Sequence, residues 1–269
     1  MILIAKGLGP NDIPPSLRSP FKQNFHPGNI TRASKTTSKR RNELIRNGAF
    51  IDSDPYNSRY KSKDVKASLK RIYNNKCAFC EQRVEQFHVE HYRPKQTYYW
   101  LAFSWDNLLS ACSGCNTHKG VNFRINGSPS SMVINLANLK NINTLSGTYN
   151  IQETPDLINP ETTDPSGQIT FAQDGGIGSA NPKFVYTIDV CQIDRTYLKD
   201  NRMKILNDLR DDLKFAFVEF STKAEQAASI KTVIERFIAA SKDPKNEFIA
   251  FREYVINNWL AVEIKNAKD

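Results

Sequence analysis

Long apolar runs are missing from this sequence. Nothing in its 269 residues approaches the ~20 apolar residues that a membrane-spanning helix needs. The opening MILIA is too short for the core of a signal peptide, and no small-residue cleavage site follows it. The expectation is a cytoplasmic protein, in which the sequon at Asn29 (Asn-Ile-Thr) carries no glycan. Internal repeats are absent too, so solenoids and propellers are excluded. Histidine is scarce, at four residues, and cysteine numbers five. A cytoplasmic chain rarely keeps disulfides, so the cysteines need another account. Acidic residues are scarce in one half only. Residues 1–125 hold 21 Lys/Arg against 9 Asp/Glu, and residues 126–269 hold 16 against 19. Clustered positive charge points to a polyanion, most simply nucleic acid; a merely soluble basic face is the alternative.

What is present divides the chain into four segments. Aliphatic and aromatic residues occur at ordinary globular levels, so the chain folds. Residues 1–60 are rich in Pro, Asn, Ser and basic residues. Five prolines in PNDIPPSLRSPFKQNFHPGN prevent a long helix there. Lys39, Arg40 and Arg41 follow with Lys35 and Arg46, and read as a basic arm that touches nucleic acid or as a solvated linker. Residues 61–125 hold the densest chemistry. They open on KSKDVKASLKRIYNN, where Val65, Leu69, Ile72 and Tyr73 share one helical face and lysines take the other. Residues 126–192 are turn-rich, with β-prone pieces QITFA and FVYTIDV. Residues 193–269 are helical. Asp194 is expected to cap a first helix, a second covers 222–241, and Asp243-Pro244 starts a third that runs to about 264.

Four of the five cysteines form Cys77-x2-Cys80 and Cys112-x2-Cys115, with 31 residues between the pairs. Each pair spans a tight turn that presents two thiolates to one tetrahedral Zn²⁺. A redox Cys-x-x-Cys needs only one pair. With four sulfurs the ion is coordinatively closed, and therefore structural. Such zinc contributes on the order of 10 kcal/mol of folding free energy in small modules. Cys191 lies apart and reads as a buried apolar residue.

The clamped segment contains Glu90-His91, then Trp-Asp-Asn107-Leu, then Cys115-Asn116-Thr-His-Lys119-Gly. This order resembles the HNH endonuclease family. The resemblance implies an α+β fold: a ββα-metal finger with a four-cysteine zinc site, embedded in a mostly helical protein. It implies His91 as general base, Glu90 and Asn116 as ligands of a catalytic divalent ion, and Asn107 as the residue that orients the His. The acid is commonly Asp in the family, and the last ligand is often His. Oxygen donors of both kinds suit Mg²⁺ or Mn²⁺. The stretches DVKASLKRIYNNKCAFCE, VEHYRPK, ETPDLINPETTDPSGQITF and TIDVCQIDRTYLKDNRMKIL are similar to one group within that family. These are the PtuB-type nucleases of Septu and some retron antiphage loci, which implies an ABC-like ATPase partner of the PtuA type.

The residue types suit phosphodiester hydrolysis independently of the family. Imidazole titrates near neutrality and can take a proton from water. Lys119 is a candidate to help neutralise phosphate, and Arg93 and Lys95 are candidate phosphate contacts. The aromatic run Tyr98, Tyr99, Trp100, Phe103 and Trp105 is expected to form the small core under the finger rather than a stacking platform for bases. DNA is the first expected substrate and RNA, such as a tRNA, the alternative. A zinc-ribbon module that binds without cutting is the competing class, and it has no need of Glu90, His91, Asn107 and Asn116 together.

Overall fold

Capping residues and glycines decide where the first elements start and stop. In a computed structural model, which describes residues 1–19 and 35–268, helix α1 covers Thr37–Asn47. The Thr36 hydroxyl accepts from the Lys39 N–H, and Gly48 closes the helix at φ 69°. Helix α2 (Asp54–Tyr60) follows, and then α3 (Lys63–Ile72). Val65 and Leu69 of α3 are fully buried, with Tyr73 just beyond, as the periodicity requires. Asn74 and Asn75, both at positive φ, end that run and turn the chain toward Cys77.

The finger comes next. Strand β1 (His88–His91) pairs antiparallel with β2 (Leu108–Ala111), with Glu90 opposite Leu109 and His91 opposite Leu108. Helix α4 (Ser113–Lys119) follows β2 directly, so the expected ββα unit forms. Tyr98, Trp100 and Leu101 pack with Ile142 and Leu145 in a small second cluster, while Phe103 and Trp105 join the main core. The aromatic run is therefore core.

Three short helices, α5 (Leu136–Lys140), α6 (Leu145–Thr148) and α7 (Asn150–Glu153), precede a hairpin of β3 (Thr170–Phe171) and β4 (Ile177–Gly178). QITFA thus contains a strand. FVYTIDV does not: it lies in helix α8 (Pro182–Val190). Its β-branched residues are overruled by a strong start, in which Asn181 accepts from the Lys183 N–H and Pro182 stands in the first turn. Phe184, Thr187 and Ile188 then share one buried face, and Cys191 is buried at the helix end.

The C-terminal region holds α9 (Thr196–Val218), α10 (Lys223–Lys242), α11 (Ile249–Asn258) and α12 (Leu260–Lys268). A capping box of Thr222 and Glu225 starts α10 close to the expected position. Asp194 is not the cap of α9. Its carboxylate accepts from the Ile177 N–H and pairs with Lys199 at 2.9 Å, and Arg195 stands at the cap position. Nor does Asp243-Pro244 start a helix, because α11 begins six residues later, where the Glu81 carboxylate accepts from the Ile249 N–H at 2.8 Å.

One principal core draws on every segment, including Leu17, Leu44, Leu69, Trp105, Phe171, Leu206 and Val255. The compositional boundaries at 60, 125 and 192 are therefore not packing boundaries. The basic segment is not a free arm where it is described. The Arg41 guanidinium donates to the Phe103 carbonyl, and Arg40 lies over the Tyr56 ring. Asn29 and the rest of 20–34 lie outside the described residues.

Candidate active site

The four cysteine sulfurs all lie within 4.8 Å of one another, and Cys80 and Cys112 are 3.7 Å apart. A tetrahedron with Zn–S bonds of ~2.3 Å has edges of roughly 3.8 Å, so the cluster fits that ion. All four are buried and none is in a disulfide. The Cys112 thiol is held far below the usual range by hydrogen bonds from Cys115, Cys77 and Cys80. The first knuckle is fixed to β2 on both sides. The Ala78 N–H donates to the Ser110 carbonyl, and the Ser110 hydroxyl donates to the Lys76 carbonyl.

A groove of about 740 Å³ opens beside this clamp. Strand β1 supplies His88, Glu90 and His91 to it, and α4 supplies Asn116. Lys66 and Lys70 from α3 line it too, as do Lys61 and Lys95. His91 is buried, and its ring meets Tyr60 edge-on at 4.5 Å. Its Nε2 lies 3.0 Å from the Ala102 carbonyl oxygen. A carbonyl only accepts, so Nε2 carries the proton and Nδ1 is left to act as a base. Burial pushes the imidazolium pKa down to about 3, so the ring is neutral at ordinary pH. Glu90 is raised by burial, against the pull of Lys119. The Lys119 ammonium donates to Glu90 Oε1 at 2.7 Å and to the His91 carbonyl at 2.8 Å.

The expected site residues therefore separate into two groups. Glu90, His91 and Asn116 come together in the groove, and Lys95 lines it. Asn107 sits under the groove and touches no ring nitrogen. It clamps the backbone beyond β1, accepting from the Arg93 N–H at 2.8 Å and donating to the Arg93 carbonyl at 3.0 Å. Lys119 is fully buried, so it braces Glu90 and does not reach phosphate. Arg93 is fully buried too, on Glu153, Ser146 and Asn150, and is no phosphate contact. Arg40 and Arg41 are buried, and Lys39 is exposed on α1 away from the groove.

Residues 77–122 match the family model described as HNH endonuclease. The chain carries an HNH endonuclease domain. It is also similar to the Septu protein PtuB of Bacillus mycoides (strain KBAB4), at 32% identity over 169 residues, which is 56% of this chain and 53% of that one. The Septu protein PtuB of Bacillus thuringiensis is 34% identical over 98 residues, 35% of each chain. The Septu protein PtuA of Bacillus mycoides (strain KBAB4) is 22% identical over 212 residues, 73% of this chain and 27% of that one. The chain thus spans about half the length of the first of these relatives and less of the others.

Several residues that serve the HNH domain left no mark in the sequence. Glu81, at positive φ just after Cys80, joins the knuckle to the start of α11, and the Lys76 ammonium donates to the Asn246 carbonyl at 2.8 Å. Arg195 donates to the Cys115 and Cys112 sulfurs, each at 3.5 Å. Burial opposes its charge, yet the neighbouring cysteines raise its pKa. Its guanidinium lies against Gly114, where an added Cβ would come within 3.0 Å of it. Four thiolates around Zn²⁺ leave a doubly negative centre, which this cation offsets. Arg195→Gln should weaken zinc binding about 10- to 100-fold, read as faster transfer to a chromophoric chelator, with Arg195→Lys intermediate. The lysines of α3 were legible as a polar face, though not as the wall of a groove.

Proposed function

We propose that this chain is a metal-dependent HNH endonuclease that hydrolyses phosphodiester bonds of nucleic acid, DNA foremost, in cytoplasmic antiphage defence beside an ATPase of the PtuA type. The observation that carries the reading is the neutral His91 tautomer, set by the Ala102 carbonyl, next to Glu90 in a lysine-walled groove. A binding module has no use for that arrangement. The partner rests on the names of the relatives, PtuB and PtuA.

His91 takes a proton from water at Nδ1 while Ala102 and Tyr60 hold the ring. Lys119 occupies one Glu90 oxygen, which leaves the other, together with the Asn116 amide oxygen, to hold Mg²⁺ or Mn²⁺. When bound, such an ion polarises the phosphate and stabilises the departing oxygen. Asn107 fixes the backbone that carries His91. Lys61, Lys66, Lys70 and Lys95 draw in the phosphate chain and set its path.

The test is plasmid cleavage by purified protein, with the ATPase added, in Mg²⁺ or Mn²⁺. His91→Ala should slow cleavage about 10²–10⁴-fold and, because it empties a buried site against Tyr60 and Ala102, melt somewhat lower while staying folded. Equal cleavage by both proteins removes His91 as the base. The same assay on RNA decides between the two nucleic acids.

A further inference from the structure

A second depression, of about 550 Å³, abuts the catalytic groove and shares Lys70 and Glu85 with it. Its remaining wall is nearly all polar, with Asn75, Gln82, Arg83, Tyr197 and Asn201 facing it. Tyr197 is 57% exposed. Among the described residues Phe215 is the other aromatic side chain so open to solvent. The Tyr197 ring is nonetheless held in place. Gln82 donates to its hydroxyl at 3.3 Å, and Asn201 donates to its backbone carbonyl at 2.8 Å. Two residues earlier, Arg195 anchors the start of α9 on the cysteine sulfurs. An exposed aromatic ring pinned beside basic groups is the arrangement that stacks on an unpaired base. The acidic groups do not cancel the charge. Along the two depressions Lys61, Lys66, Lys70, Lys95 and Arg83 stand against Glu85, Glu90 and Glu247, and Glu90 is already paired with Lys119, so positive charge stays in excess.

We propose that one strand of nucleic acid leaves the catalytic groove past Lys70, crosses Arg83 and stacks a base on Tyr197, so that the substrate is single-stranded where it is held. This rests on the nuclease reading and adds its substrate class. A duplex offers the ring no free base face, because each face is covered by its neighbours in the stack. Phosphates on Lys66, Lys70 and Arg83 fix the path, and the base on Tyr197 selects unpaired strands.

The experiment is fluorescence anisotropy with the full chain, carrying His91→Ala so that the probes stay intact. The probes are a labelled single-stranded DNA oligonucleotide and the blunt duplex of the same sequence. Tyr197→Ala should weaken single-strand binding on the order of 5- to 100-fold, while Tyr197→Phe, which keeps the ring and loses the Gln82 contact, should fall between it and the parent. Arg83→Gln should lower the salt slope of single-strand binding by about 0.7. Duplex binding should be weaker throughout and indifferent to residue 197. Equal single-strand affinity in Tyr197→Ala, or an equal loss for duplex, overturns the track. If wild type still cleaves in that case, the nuclease reading stands without it. If the parent binds neither probe the track falls, and cleavage by wild type with the ATPase decides the nuclease reading separately.

Discussion

Cys112→Ser is expected to yield a protein that holds less zinc and does not fold. The substitution is a clean one at this position. The Cys112 sulfur caps α4 by accepting from the Cys115 N–H at 3.4 Å, and serine is a good helix cap. Cap loss therefore contributes little, and what disappears is a metal ligand. Structural zinc in small modules is worth on the order of 10 kcal/mol, against roughly 5–15 kcal/mol for a whole domain. The loss reaches further than the finger. Glu81, Lys76 and Arg83 of the first knuckle hold the α10–α11 connection, and Arg195 holds the start of α9 on the second. A finger that opens releases both attachments. Cys191→Ser is the control: Cys191 is buried but stands outside the four-sulfur cluster. It should melt lower than wild type and keep its zinc. Elemental analysis with a thermal melt separates the two variants, and equal zinc content in both would overturn the four-sulfur site.

The parts of the site that depend on short spacing were legible in the sequence. Two Cys-x2-Cys turns, Glu90 beside His91 on a four-residue strand, and Asn116 one residue past Cys115 are all local patterns. The ββα order was implied by the resemblance to HNH endonucleases that these patterns carry. What the sequence hid was the environment of individual charges. Arg93 and Lys119 read as phosphate contacts because most cations are exposed. Their burial depends on Glu153, 60 residues away, and on Glu90, 29 residues away. Arg195 is 80 residues from Cys115. No local pattern encodes such partners. FVYTIDV failed for a different reason: its residues suit a strand, but the Asn181-Pro182 start suits a helix and wins. The helix expected after Asp243-Pro244 had a local start signal, which the docking of the 243–248 segment on the knuckle overrides.

The buried Lys119–Glu90 pair gives the second large effect, and it reports on the catalytic ion as well. If Lys119 contacted phosphate, Lys119→Met would weaken nucleic-acid binding and leave stability alone. In the structure its ammonium is enclosed and spans Glu90 and the His91 carbonyl. Removing it leaves a buried carboxylate and a carbonyl without their donor. Breaking one partner out of a buried pair costs about 3–5 kcal/mol, or roughly 10 °C of melting temperature in a chain of this size. Burial already raises Glu90, and the variant raises it further. The protonated acid needs no counter-charge, so the deficit should shrink as pH falls through the new pKa and be largest above it. Mg²⁺ or Mn²⁺ offers Glu90 another positive partner. Either ion should therefore raise the melting temperature of Lys119→Met more than that of wild type. Adding Glu90→Gln to Lys119→Met should abolish that extra shift. A shift that survives in the double variant would mean that the ion binds without Glu90, and the proposed ligand pair would have to be redrawn around Asn116 and other donors in the groove.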